Sequence, residues 1–268
     1  MAVMMFSKRA RVAVTAAAVI AAGLFAWQWD RYRAVPIERA LNPGYWIRHW
    51  QGRDRYDPDT ALLEHGDPGR SEVALTVDDG PDPLYGPAIA SYLKQQGVAA
   101  TFFVVGKRVK QYPEVLRAIA SDGFEIGNHT YDHQRLDQLK PHEIANEIRF
   151  CSRDIEEVTG KRPTLLRPPG VQYNDTVLHT AKALGFVTVS WTCGAKDYDP
   201  QPPQFIAQRV VDRSEAGSII ILHQDTPNTL KALPFIISGL RQRGFTFVTI
   251  SRMLDHLHAK LPPAPPGR

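Results

Sequence analysis

Two aspartates stand side by side at Asp78 and Asp79. The apolar run Val73-Ala74-Leu75-Thr76-Val77 precedes them and Gly80-Pro81 follows. Successive side chains on a strand point to opposite faces. Both carboxylates therefore serve one site only where the strand breaks into a turn, and Gly80-Pro81 supplies that turn. One carboxylate can then hold a cation while its neighbour takes a proton. A second pair lies in His129-Thr130-Tyr131-Asp132-His133. Two imidazoles four residues apart on a helical turn share a face and can grip one ion. The pattern is not His-Glu-x-x-His, so the zincin protease mechanism has no glutamate to run it. Asp-Asp-Gly alone commonly makes a surface turn, so the placement of these groups decides what they mean.

Placement follows from a repeating grammar. Strand-like runs at 73–78, 100–105, 124–128, 164–167, 186–191, 218–223 and 245–249 alternate with helical patterns. The helical patterns cover 84–96, 112–122, 141–159, 174–184, 203–213, 229–243 and 250–259. Strict alternation implies an α/β protein with a mainly parallel sheet. About seven units suggest an incomplete or distorted (β/α) barrel of about seven parallel strands, with a doubly wound open sheet as the alternative. No glycine-rich dinucleotide fingerprint follows the first strand, so no nucleotide cofactor is expected. Asp78 and Asp79 end the first strand, His129 and His133 follow the third, and Arg167 ends the fourth. Asp197 follows the fifth and His223 ends the sixth. All these groups fall at C-terminal strand ends, the face on which parallel barrels build active sites. His49, His65, His142, His179, His256 and His258 fall in helices or flanks and read as surface groups.

The remaining composition narrows the partners. The chain has 268 residues and a formal net charge of +4. That length suits one sizeable domain plus extras. Its basic residues are scattered outside the N-terminus, so no nucleic-acid partner is expected. Cys151 and Cys193 lack Cys-x-x-Cys spacing and read as buried thiols rather than zinc ligands. Lys8, Arg9 and Arg11 precede an uncharged apolar run from Val12 to Trp29. A run of about 18 residues suffices to span a bilayer, and Trp27, Trp29 and Tyr32 suit an interfacial belt. The basic flank favours a cytoplasmic N-terminus, hence a membrane-anchored protein whose main domain is extracytoplasmic. The alternative is a cleaved signal peptide, cut near Ala22 or Ala26, giving a secreted or periplasmic protein. The expected organisation is an anchor at 1–30, a linker or strap at 31–70, a catalytic domain at 71–257 and a Pro-rich disordered tail at 258–268.

Five segments together resemble a known family. They are Thr76–Asp82 (TVDDGPD), His129–His133 (HTYDH), Arg167–Gly170 (RPPG), Lys196-Asp197-Tyr198 and Ile221-Leu222-His223. Their types and order are similar to the motifs of the polysaccharide deacetylases, carbohydrate esterase family 4, with its NodB-homology domain. The likeness spans about residues 72–255. It implies a metal triad of Asp79, His129 and His133, with Asp78 as general base and His223 as general acid. It implies that Arg167 orients the base and that a backbone N–H near Gly170 helps hold the oxyanion. Trp191 and Leu222 are implied to line the pocket for the acetyl methyl group. The implied cofactor is one divalent ion, Zn2+ first, with Co2+, Fe2+, Ni2+ or Mn2+ as alternatives. The implied reaction removes N-acetyl groups from an N-acetylglucosamine-containing glycan: peptidoglycan, a chitin-like oligomer or an exopolysaccharide. An O-acetyl or lipid-linked or non-sugar amide hydrolase, or a catalytically weak glycan-binding homologue, are the alternatives.

Two positions depart from the family pattern. Gly170 stands where the third motif has a tyrosine. The backbone N–H survives this change, but the aromatic packing does not. Gly194 stands where the fourth motif begins with an aspartate, which in the family neutralises the arginine beside the base. Without it, Arg167 is expected to weaken Asp78 as a base, and Asp197 is expected to move in as Arg167's partner.

Overall fold

A computed structural model describes residues 55–259. In chain order the elements begin with β1 (Tyr56–Asp57), β2 (Leu62–Leu63), β3 (Glu72–Gly80), α1 (Gly86–Gln95) and β4 (Thr101–Val104). Next come α2 (Gly106–Gln111), α3 (Pro113–Ser121), β5 (Glu125–Asn128), α4 (Pro141–Thr159) and β6 (Leu165–Leu166). Then follow α5 (Asp175–Ala183), β7 (Val187–Val189), β8 (Cys193–Gly194), α6 (Pro203–Arg213) and β9 (Ile219–His223). The last are α7 (Pro227–Gln242), β10 (Thr246–Val248) and α8 (Ile250–His258). Prolines open α3, α4, α6 and α7, where a fixed φ suits the first turn and the missing N–H is not needed.

The strands form one sheet in the order β1-β2-β7-β6-β5-β4-β3-β9-β8, with β10 beside β3. Among the described strands only β1–β2 is antiparallel. Among the described residues the two ends of this path do not pair, which fits a distorted, incomplete barrel in an α/β fold. The seven strands and seven helices expected from alternation are all present. The structure adds β1, β2, β8 and α2. Two-residue strands carry no period, and β1 and β2 come from the segment read as a linker or strap. Leu62 and Leu63 are fully buried there, with β2 paired to β7. The expected anchor, residues 31–54 of the strap and the tail from residue 260 lie outside the described residues. Among the described residues no helix is long and apolar enough to cross a membrane.

Alternation along the strands makes two apolar layers. Val73, Leu75 and Val77 of β3, with Ile220 and Leu222 of β9, pack against Ile89, Leu93, Val210 and Ile237 of the surrounding helices. On the other face, Ala74 and Ile219 join Phe103, Val189 and the α8 residues Ile250, Met253 and Leu254. Each such buried side chain contributes about 1.5–3 kcal/mol. The start of α8 is tied to the starts of β4 and β5: Ile250 N donates to Thr101 Oγ1 at 3.1 Å and Ser251 N to Glu125 Oε1 at 3.2 Å. His256 is half-buried rather than a free surface group, and its Nδ1 meets Glu72 Oε2 at 2.8 Å. Helix α8 therefore fills the N-terminal mouth of the barrel with apolar side chains. The aspartates, histidines and arginine singled out by sequence lie at the opposite, C-terminal strand ends. Cys151 and Cys193 are both buried.

Candidate metal centre and active site

The two aspartates reach one site because β3 is irregular where they sit. Its register with β4 shifts between Val77 and Gly80, and Asp79 is left-handed at φ 66°. Such a bulge re-aims side chains that a regular strand would send to opposite faces. His129 Nε2 consequently lies 3.3 Å from Asp79 Oδ1 and 3.8 Å from Asp78 Oδ2. The expected helical turn at 129–133 is not there; the segment is an irregular loop. Left-handed Thr130 (φ 68°) and His133 (φ 58°) fold it back instead. The two rings meet edge to face at 5.0 Å. His133 Nε2 comes to 3.0 Å from Asp79 Oδ1, and one ligand atom from each of Asp79, His129 and His133 falls within 4.8 Å of the others.

These groups fit a cation. His129 Nδ1 lies 2.6 Å from the Arg167 carbonyl oxygen. A carbonyl only accepts, so Nδ1 carries the proton and Nε2 of the neutral ring presents its lone pair. It faces Asp79 Oδ1, a buried oxygen with no hydrogen-bond donor among the described residues. Electron pairs converge here, and a positive ion between them satisfies the cluster. Were both imidazoles protonated instead, burial would still oppose the charge on Asp79, but their hydrogen bonds and charge would hold this carboxylate well below the usual range, a role that a cation would take over. Two imidazole nitrogens and one carboxylate oxygen suit zinc and related divalent ions. Outside the cluster, Arg108 Nη1 donates to the Asp79 carbonyl oxygen at 2.8 Å and supports the left-handed turn.

Asp78 and His223 are register partners across the parallel pair β3–β9. Arg167 Nη1 donates to Asp78 Oδ1 at 2.8 Å, with both side chains buried. Its other donors reach Thr76 Oγ1 at 2.6 Å, Ser190 O at 3.0 Å and Val189 O at 3.4 Å. The guanidinium also lies 4.3 Å from the centre of the Phe103 ring. Burial pushes the pKa of Arg167 down, and Asp78 pulls it back up. Arg167 thus orients His129 through its carbonyl and Asp78 through its side chain.

The expectation that Asp197 becomes Arg167's partner is wrong. Main-chain carbonyls, a hydroxyl and an aromatic face already occupy the guanidinium. Asp197 holds His223 instead, with Oδ1 at 2.8 Å from Nδ1 and Oδ2 accepting from His223 N at 2.7 Å. Thr229 Oγ1 donates to the same Oδ2. Burial disfavours charge on His223, yet Asp197, aided by Asp78 and Asp79, raises its pKa to about 9.

The remaining expected residues fall as follows. Gly170 sits in the short turn Pro169–Val171 at φ 60°, where an added Cβ would meet only Gln172 Cγ, at 3.5 Å. Trp191 packs partly buried on the inner apolar layer, and a Cβ on Gly194 would come to 3.3 Å from its ring. Leu222 does not line the pocket. It is fully buried in the helix-facing layer, and strand alternation puts Ile221, not Leu222, on the face of its second neighbour Ile219, which packs in the inner layer. Counting back from Ile221 to Ile219 would have shown this. Sequence reasoning also missed Tyr198 as a neighbour of His223, although it lies in the Lys196-Asp197-Tyr198 segment. Its exposed ring stands edge to face with His223 at 5.5 Å. No local signal marked Arg108.

Known proteins share this arrangement of sequence and fold. The polysaccharide deacetylase family profile matches residues 65–189. The chain is 37% identical over 191 residues to a peptidoglycan-N-acetylglucosamine deacetylase of Bacillus cereus, covering 69% of this chain and 89% of that protein. It is 30% identical over 191 residues to a chitooligosaccharide deacetylase of Azorhizobium caulinodans, covering 66% and 91%. A solved peptidoglycan N-acetylglucosamine deacetylase, in complex with 4-naphthalen-1-yl-N-oxidanyl-benzamide, superposes with a TM-score of 0.71 at 32% identity, covering 80% of this chain and 97% of that one. A carbohydrate esterase family 4 pseudoenzyme from Bacillus anthracis superposes at 0.70 with 30% identity, covering 73% and 69%. The chain belongs to the polysaccharide deacetylase family, carbohydrate esterase family 4.

Proposed function

We propose that this protein is a divalent-metal-dependent deacetylase that removes N-acetyl groups from N-acetylglucosamine-containing glycan, with peptidoglycan as the leading substrate. The observation that carries the reading is the convergence of Asp79, His129 and His133 around one point beside Asp78. Peptidoglycan is favoured because the two most identical of the proteins compared above are peptidoglycan deacetylases by name.

Asp79, His129 and His133 would hold the ion. When bound, such an ion supplies a Lewis acid and lowers the pKa of a nearby water. Asp78 then accepts the water's proton, fixed by Arg167 so that its free oxygen faces the cluster. His223 is protonated at neutral pH because Asp197 holds it so, and it gives a proton to the departing amine. The base and the acid are register partners on adjacent strands, so one bound amide could reach both. A catalytically silent glycan binder is disfavoured because the base, the acid and the three ligand groups are all in place.

We further propose that residues 12–29 anchor the protein and leave its catalytic domain outside the cytoplasm. Lys8, Arg9 and Arg11 before the uncharged run support this orientation. Mass spectrometry of the mature chain tests it: an intact N-terminus is expected, and one beginning after Ala22 or Ala26 rules the anchor out. For the reaction, acetate release from peptidoglycan and from chito-oligosaccharide is the test. No release from any acetylated glycan, with metal supplied, overturns the reading.

A further inference from the structure

The loop that carries both imidazoles is held in a costly conformation. Thr130 and His133 are left-handed, and each such residue other than glycine costs on the order of 1–3 kcal/mol. Surrounding structure must therefore hold the loop in place. At its start Asn128 Oδ1 accepts from Thr130 N at 2.7 Å, and Asn128 Nδ2 donates to Ile148 O and Ser152 Oγ of α4. Thr130 Oγ1 accepts from His133 N at 3.1 Å. On one edge of the loop, the first amides of α2 take its carbonyls: Gly106 N donates to Thr130 O and Lys107 N to Tyr131 O.

The opposite edge rests on one atom. Tyr131 N and Asp132 N both donate to Glu147 Oε2, at 2.9 and 2.8 Å. Glu147 lies on α4 and is buried. A buried carboxylate is retained only when its charge is met, and two successive backbone N–H groups form a concave anion site that meets it. This carboxylate has no part in the proton transfers above. Its two hydrogen bonds span the residues that separate His129 from His133.

We infer that Glu147 is a positioning residue: it clamps the Tyr131-Asp132 backbone so that His129 and His133 converge on Asp79 before a cation arrives. The inference rests on the reading of Asp79, His129 and His133 as a cation site. Groups that orient metal ligands from outside typically contribute a factor of about 10–100 in metal affinity. The charge of Glu147 matters less than its acceptor oxygen, because a glutamine oxygen can accept the same two N–H groups.

The test uses the full chain, stripped of metal, with zinc affinity measured by chelator competition. Amide exchange at Tyr131 and Asp132 is followed in the same metal-free samples. Glu147→Ala is expected to weaken zinc binding about 10–100-fold and to speed exchange at those two amides. Exchange at Phe102 and Ile220, in the central strands, is expected to stay slow. Glu147→Gln is expected to recover most of the affinity and the protection. Equal zinc affinity in wild type and Glu147→Ala overturns the inference. So do equal losses of affinity and melting temperature in both variants, which is what a merely structural side chain gives. A wild type that binds no divalent ion refutes the cation site itself, and the metal-free exchange comparison then still decides whether Glu147 clamps the loop.

Discussion

Two charged pairs at the barrel mouth have the same contact distance and opposite uses. Arg167 meets Asp78 at 2.8 Å, and His223 meets Asp197 at 2.8 Å. A guanidinium keeps its proton at every accessible pH, whereas an imidazole can lose its own near neutrality. In the proposed mechanism the first pair has the cation as a permanent support and the carboxylate as the working group. In the second, the same mechanism makes the carboxylate the support and the cation the working group. Arg167 and Asp197 are both fully buried, while the working imidazole of His223 keeps 20% of its side chain exposed. Distance alone therefore does not assign a role; what each partner can do with a proton does.

The largest expected effect tests the working side of the first pair. Asp78→Asn is expected to keep bound metal and to lose about 10²–10⁴-fold in turnover. Full turnover in that variant removes Asp78 from the base role. Breaking the support is expected to cost stability. Arg167→Met leaves a buried carboxylate unpaired, and urea denaturation should show a loss of about 3–5 kcal/mol. A loss near zero means water reaches Asp78 and the pair is not sealed.

The second pair is read through pH. Asp197→Asn is expected to move the alkaline limb of the rate profile from about 9 toward lower pH, by about 1–3 pH units. The sign for stability follows from a folded-state pKa raised above the ordinary imidazole value of 6.5. The pair's contribution is complete below that ordinary value and is lost as pH rises through about 9. The stability gap between wild type and Asp197→Asn should therefore shrink across this window, and a gap that widens contradicts the assignment.

The smallest expected effect concerns the missing aspartate. Gly194→Asp crowds the Trp191 ring, and overpacking of this kind costs about 1–3 kcal/mol. Because the donors of Arg167 are already engaged, no gain in rate is expected. A faster enzyme with a shifted acidic limb would show that Arg167 still needs a second carboxylate besides Asp78.

Much of this was legible in sequence for identifiable reasons. The seven longer strand–helix units show because burial repeats at a fixed period. The cluster of Asp79, His129 and His133 shows because the same period puts those residues at strand ends. The spacing of His129 and His133 suggested a helix, but a four-residue interval can also be closed by left-handed residues, and Thr130 and His133 do so. Leu222 was misplaced by motif matching where strand alternation would have placed it correctly. The partner of Asp197 was misjudged because electrostatic need was considered without the carbonyls of Val189 and Ser190, whose positions only the fold determines. Strands β1, β2 and β8 are two residues long each, too short to carry a period.

The central claim is one cation held by Asp79, His129 and His133 and used to release acetate. Bound metal and acetate release from N-acetylated peptidoglycan should be measured side by side on wild type, Asp79→Ala and His129→Ala. One equivalent of divalent metal with acetate production in wild type, and neither in the two variants, is the expected result. Metal retained at full occupancy in both variants, or acetate released from fully metal-free wild type, would contradict it.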